Sequence, residues 1–258
     1  MPELPDVEVF SRNLHKVFAG KQLVKVKVVN GQKLQDTRSA LTRALKGKVL
    51  SQIYRSGKEM RFSFSDGTLL GLHLMLTGDI FVVEKTNDHH STIVELYFDN
   101  GKGFALTDRM KNANIKLNPV DKAGPDALSP RLNLAYLSKA MQRDKKIKSL
   151  LIDQDIIRGI GNSYSDEILW EARIAPNSIA SAIPKKKVKD LLVAIKKILK
   201  KEIKNIDKHH PGKVNGEVKE FLKIHTKEKT KSPTGAPIII EKNGMMKTYY
   251  TKEQVLYK

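Results

Sequence analysis

The sequence predicts an α+β chain: a leading helix, then a β-sandwich or barrel, then a run of helices closed by a β-hairpin. Three observations carry this. Apolar residues recur at helical spacing over the first twenty or so residues, and short β-type runs separated by turn signals follow as far as Thr107. From Asn133 the period returns to that of a helix, until an Asn-Gly pair near the C-terminus marks a tight turn.

The leading helix is read from Val7, Phe10, Leu14, Val17 and Phe18, which line one face, with Gly20 as its stop. Strands are expected over 22–30, 48–55, 60–64, 68–73, 79–83, 92–98 and 104–107, with Asp66-Gly67 and Asn100-Gly101 among the turns between them. Helices are expected over 133–143, 147–154, 162–172 and 185–206. In the last of these Val188, Leu191, Leu192, Ile195, Ile198, Leu199 and Ile203 form one stripe, leaving a solvated lysine face. Residues 236–241 and 246–251 flank Asn243-Gly244 and read as the closing hairpin. The domains expected are 1–117, a linker over 118–131 that holds three prolines and a glycine, a helical domain over 132–224, and a hairpin finger over 225–258.

Charge points to the partner. The chain of 258 residues has 47 Lys and Arg against 28 Asp and Glu, a formal net charge of +19. Such an excess is matched by a polyanion, because covering it releases counterions. Residues 1–130 carry 19 basic and 14 acidic side chains, and residues 131–258 carry 28 and 14, so the second half is the stronger anion binder. No run reaches the roughly eighteen apolar residues of a membrane span, and no basic stretch precedes an apolar one at the N-terminus. A cytoplasmic protein with no membrane partner is expected. Zero cysteines exclude disulfides, thiolate nucleophiles and cysteine-ligated zinc.

One loop has the chemistry of an anion site. In Ile157-Arg158-Gly159-Ile160-Gly161-Asn162 the alternate glycines precede a helix, with Asn162 available as its cap, so backbone N–H groups can approach a phosphate closely. Lys148, on the preceding helix, adds a cation beside that turn.

The opening Met1-Pro2-Glu3-Leu4-Pro5-Asp6-Val7-Glu8 resembles that of the formamidopyrimidine-DNA glycosylase/endonuclease VIII family. So do the β-rich domain, the segment Gly159-Ile160-Gly161-Asn162 running on to Asp166-Glu167-Ile168-Leu169-Trp170, and the C-terminal hairpin, all in order. The proline after Met1 and Leu4 look closer to the formamidopyrimidine branch. The resemblance implies an N-terminal β-sandwich, a helix-two-turn-helix domain and a finger. It also implies a monomer that acts on duplex DNA containing damaged bases or abasic sites.

The chemistry it implies is physically reasonable. Loss of Met1 exposes Pro2 as a secondary amine with a pKa of roughly 8, nucleophilic in its unprotonated fraction. Attack on the sugar anomeric carbon gives an iminium, an electron sink that permits phosphate elimination after base loss. By resemblance Glu3 is the acid that protonates the sugar ring oxygen, and Lys58, in Ser56-Gly57-Lys58-Glu59, is the hairpin lysine that holds a phosphate. His73 falls in the segment that approaches the DNA backbone, and Leu76 falls on the gap-filling methionine. Gly161 and Asn162 are the expected phosphate-binding turn.

Departures from the family pattern concern substrate and metal. The segment with which the family probes the opposite strand corresponds to Thr107–Ala113, where Arg109 or Lys111 replaces the probing arginine and no phenylalanine stands. The stretch 209–231 is short where formamidopyrimidine glycosylases carry a loop over oxidised guanine. The four finger cysteines fall on Lys231, Thr234, Thr251 and Gln254, so the expectation is a zincless finger with no metal or cofactor. Packing of Ile238, Ile240, Tyr249 and Tyr250 would replace the zinc, and Lys247 would supply a single phosphate contact. A histidine-based site competes, since His209, His210 and His225 lie upstream.

The reading is thus a DNA glycosylase with AP lyase activity in base excision repair. A catalytically silent protein of the same fold that binds damaged or bent DNA is the alternative, and a basic RNA-binding module is a distant third. Borohydride reduction separates the first two, because only an iminium is trapped.

Overall fold

The computed structural model describes residues 1–244 and 246–258. Its contacts divide the chain into two units: Met1–Asp121 with Ile206–Glu217, and Lys122–Asn205 with Val218–Lys258. The segment 206–217, grouped by the sequence with the helices, is therefore part of the first unit.

In the first unit α1 (Leu4–Phe18) starts at an extended Glu3, whose backbone N–H donates to Asp6 Oδ2 at 3.1 Å. Pro5 suits the first turn, where no intrahelical donor is needed. The strands form two antiparallel sheets of four: β1 (Leu23–Val28), β6 (Thr92–Phe98), β7 (Lys102–Asp108) and β5 (Gly78–Glu84) in that order, and β2 (Leu50–Ser56), β3 (Glu59–Phe64), β4 (Leu69–His73) and β8 (Asn114–Leu117) in the other. Neither closes on itself, which decides the sandwich over the barrel. Phe10, Leu14 and Phe18 of α1 enter one core with Phe62, Phe98 and Phe104 from both sheets. Each such side chain contributes roughly 1.5–3 kcal/mol by leaving water. The short helix α2 (Arg38–Leu45) and β8 were not expected from the sequence.

The second unit holds α3 (Leu134–Ala140), α4 (Ile147–Ile152), α5 (Asn162–Ala172), most of α6 (Lys185–His209), and the hairpin β9 (Ile239–Asn243) and β10 (Met246–Tyr250). The α6 stripe is buried from Val188 to Ile203, with Leu192 only partly so. The face opposite is largely solvated; on it Lys187 donates to the Ala172 carbonyl, and the Lys196 ammonium donates to the carbonyls of Ala127 and Ser129 and so fixes part of the expected linker. The hairpin turn lies one residue later than Asn243-Gly244: Asn243 pairs with Met246, and Gly244 opens the turn at φ +58°, a conformation in which a side chain is strained. Met245 of that turn lies outside the described residues. Among the described residues no helix is long and apolar enough to cross a membrane.

Candidate active site and nucleic-acid interface

The start of α1 and the β2–β3 turn bring three expected residues together in the first unit. Pro2 and Glu3 are buried at the head of α1, where a carboxylate is favoured by the helix dipole. Lys58 occupies the two-residue turn after Gly57, whose φ of +63° explains the glycine. Burial pulls the Lys58 ammonium below the usual lysine range, opposed by the carboxylates of Glu3 and Glu217. Arg55 fixes the turn: its guanidinium donates to Glu8 Oε2 of α1 at 2.9 Å and to the Gly57 carbonyl at 3.0 Å. One ion pair thereby ties the turn that bears Lys58 to α1.

Glu217 was not anticipated from the sequence. Its Oε2 accepts from the Met1 ammonium at 3.0 Å. The segment bearing it is bound to the first unit at three further points: the Lys213 carbonyl accepts from Asn13 Nδ2 at 2.9 Å, Val214 packs on the core, and Gly216 N–H donates to Asp79 Oδ1 at 2.9 Å.

The expected DNA-probing residues lie on two segments joined by another carboxylate. His73 ends β4 and accepts the Met75 N–H at Nδ1, 2.9 Å away, with Met75 itself at φ +54°. Leu76 is 58% exposed, which separates it from the core reading that sequence alone left open. Asp108 is buried. Its carboxylate accepts from the Thr77 hydroxyl and from the backbone N–H groups of Met110, Asn112 and Ala113. Burial pushes its pKa up, but these bonds prevail and hold it below the usual aspartate value. The turn so fixed presents Arg109 to solvent beside Met110, which is 51% exposed.

In the second unit the phosphate-turn candidates converge on β10. Gly161, rather than Asn162, is the N-cap of α5. Asn162 is the first helical residue, and its Nδ2 donates to the Lys247 carbonyl at 3.1 Å, so its side chain is turned to the hairpin and not to the helix end. A glycine cap leaves that end without a side chain in the way of an anion. The Lys148 side chain is only 8% exposed; its ammonium donates to Asp166 Oδ1 at 2.6 Å and to Thr248 Oγ1 at 2.9 Å. It is buried within the unit rather than presented on the surface as a simple phosphate contact. Lys247, Lys219, Lys227, His225 and Asn162 line a recess of about 460 Å³.

The finger positions carry no zinc set. Thr234 Oγ1 and Thr251 Oγ1 both donate to Glu253 Oε2, at 2.8 and 3.2 Å, and Thr251 N–H donates to Gln254 Oε1 at 2.8 Å. Lys231 bridges Pro237. A carboxylate thus gathers two of the four positions expected to hold cysteine, and the bonds from Thr234 and the others keep Glu253 below its usual pKa. Tyr249 packs with Trp170, Ile224 and Ile238, as expected for two of the four. Ile240 does not: it is 50% exposed, and Tyr250 is half-buried. His225 is engaged by Asp166 at 2.7 Å, and among the described residues no group of three or more His, Asp or Glu could hold a metal.

Comparison with known proteins covers both units. Residues 1–115 match the formamidopyrimidine-DNA glycosylase N-terminal domain, and residues 123–210 match the formamidopyrimidine-DNA glycosylase H2TH domain. The formamidopyrimidine-DNA glycosylase of Lactobacillus gasseri is 31% identical over the whole of both chains, and that of Desulforamulus reducens 29% identical over 97% of each. Lactococcus lactis Fpg, solved with DNA containing an oxidised pyrimidine, superimposes with a TM-score of 0.87 at 25% identity over 97% of this chain and 98% of that one. The same enzyme bound non-covalently to DNA with an AP site gives 0.84 at 24% identity, over 96% and 97%. Both units therefore fall within one class, the helix-two-turn-helix DNA glycosylases. The chain belongs to the formamidopyrimidine-DNA glycosylase family.

Proposed function

We infer that the chain is a DNA glycosylase of base excision repair with associated AP lyase activity, working through an iminium at Pro2. The observation that carries this is the gathering of the N-terminal amine, Glu3 and Lys58 within the first unit. With Met1 removed, the Pro2 nitrogen attacks the anomeric carbon of a nucleotide extruded from the duplex, and the base departs. Glu3 gives a proton to the ring oxygen as the ring opens and the iminium forms. Lys58 holds the adjacent phosphate, and its lowered pKa makes it a readier proton donor than an exposed lysine. Leu76, Arg109 and Met110 fill the gap and probe the opposite strand, Met110 standing in for the missing aromatic wedge. The basic second unit grips the backbone through the α5 N-terminus and Lys247. The protein works on chromosomal DNA in the cytoplasm.

Glu3→Gln keeps size and removes the acid. Excision of a damaged base from a duplex is expected to fall by about 10²–10⁴-fold while duplex affinity stays within about twofold. Single-turnover excision and equilibrium binding measured on the same duplex check this, and wild-type excision would remove Glu3 from the mechanism.

The finger is expected to work without metal. Chelator treatment leaves melting temperature and DNA affinity unchanged, whereas Lys247→Ala weakens binding and lowers the salt slope by about one. Stoichiometric zinc in purified protein, or activity lost to a chelator, overturns the zincless reading. An unchanged salt slope removes only the phosphate contact.

A further inference from the structure

We propose that Glu217 is a second carboxylate of the active site: it holds the N-terminal amine, takes a proton from it, and faces the iminium as its counterion. This rests on the Pro2 reading above and adds a residue that lies far from the N-terminal motif in sequence.

The carboxylate is brought there by a built segment. Its Oε2 lies 3.0 Å from the Met1 ammonium, and its side chain is only 17% exposed. Three anchors precede it, at the Lys213 carbonyl, Val214 and Gly216, and none of them is to Met1. The segment would therefore keep its course once Met1 is removed, leaving Glu217 facing the new amine of Pro2. The ionisable groups near it include the amine itself and Lys58, which also feels Glu3, with Asp79 behind the Gly216 anchor. Lys58 feels both Glu3 and Glu217, so the two carboxylates and two nitrogens form one cluster.

Two carboxylates have two tasks. A protonated secondary amine has no lone pair. One of its two N–H protons passes to Glu217, giving a carboxylic acid and a neutral amine. The lone pair then forms the bond to the anomeric carbon as the base leaves with the electrons of the bond it gives up and with the proton held by Glu217, which is thereby a carboxylate again. The remaining N–H proton goes to solvent as the C–N double bond forms, and the ring oxygen takes the proton of Glu3. Glu3 cannot serve both ends, since it must be a proton donor when Glu217 is an acceptor. A carboxylate beside the amine also favours its protonated form, so the acid limb of the reaction lies at higher pH with Glu217 than without it.

The test is the pH profile of borohydride trapping on abasic-site DNA for wild type, Glu217→Gln and Glu217→Asp. For Gln, the midpoint of the acid limb is expected to move down by about one pH unit and the plateau rate to fall at least about tenfold. Asp should recover part of both, and duplex affinity and melting temperature should not change. A midpoint that stays in place overturns the proposal, whether the rate is unchanged or falls, since a merely structural strap would lower the rate alone. Wild-type protein that is not trapped at any pH overturns instead the Pro2 reading on which the proposal stands.

Discussion

Protein that retains Met1 is expected to lose most of its borohydride trapping on abasic-site DNA, keeping only what the Met1 amine, one residue out of place, can supply. In that form the Pro2 nitrogen is a tertiary amide whose lone pair is delocalised into the carbonyl, so it cannot attack the anomeric carbon. Pro2→Gly, processed normally, presents a primary amine with no ring to fix its direction, and trapping should survive only weakly. The competing nucleophile is Lys58: its ammonium is pulled below the usual lysine range by burial, so a larger neutral fraction exists near pH 7 than for an exposed lysine. Trapping that is undiminished in both variants would move the nucleophile to Lys58, and Lys58→Ala would then abolish it. The two outcomes do not overlap. Far-UV circular dichroism on each variant separates a lost amine from a lost fold.

Much of the architecture was readable because it repeats locally. The α1 face and the α6 stripe follow helical spacing, α5 begins and ends at the expected residues, and most strands carry their own β-branched runs and turn glycines. What was missed lacks such a signal. In α2 the Thr37 cap is a clear start, with Ala40 N–H donating to its hydroxyl, but only Leu41 and Leu45 are buried in the eight residues that follow, too few for a periodic pattern. The four residues of β8 are a strand only because β4 lies beside them.

The site divides the same way. Pro2, Glu3 and Lys58 are legible through their motif. Glu217 meets the N-terminus across 216 positions, and nothing in its own neighbourhood announces it. Asp108 and Asp166 fall in segments that resemble the family, but the sequence assigns neither a role; their importance lies in which hydroxyl, N–H groups and ammonium they accept from. Asn162 was misread as a cap because an Asn before a helix is a good cap on average. Here the preceding Gly161 takes that place, and the hairpin offers the Asn162 amide a carbonyl. Side-chain bonds between remote segments follow from the fold, so they become visible only after it.

Asp166→Ala is expected to be the most destabilising substitution in the second unit, at about 3–5 kcal/mol. The carboxylate is completely buried and has three partners from three segments: Lys148 Nζ of α4 at 2.6 Å, His225 Nδ1 at 2.7 Å, and Tyr249 N–H of β10 at 2.9 Å. Removing it leaves the largely buried Lys148 ammonium without its counter-charge and a buried backbone N–H without an acceptor, and each of those losses exceeds the net worth of the bond itself. It also releases the hairpin from the helices at the point where Asn162 and Lys148 meet the Lys247 carbonyl, so the expected DNA grip loosens with it. Asp166→Asn retains an acceptor for Tyr249 and should lose less. The double variant Asp166→Ala with Lys148→Met removes the stranded charge and should regain part of the stability while leaving DNA affinity low. Denaturant unfolding of the four proteins decides it: if Asp166→Ala costs under about 1 kcal/mol, in the range of an exposed pair, the buried ion pair does not hold the hairpin to the helices.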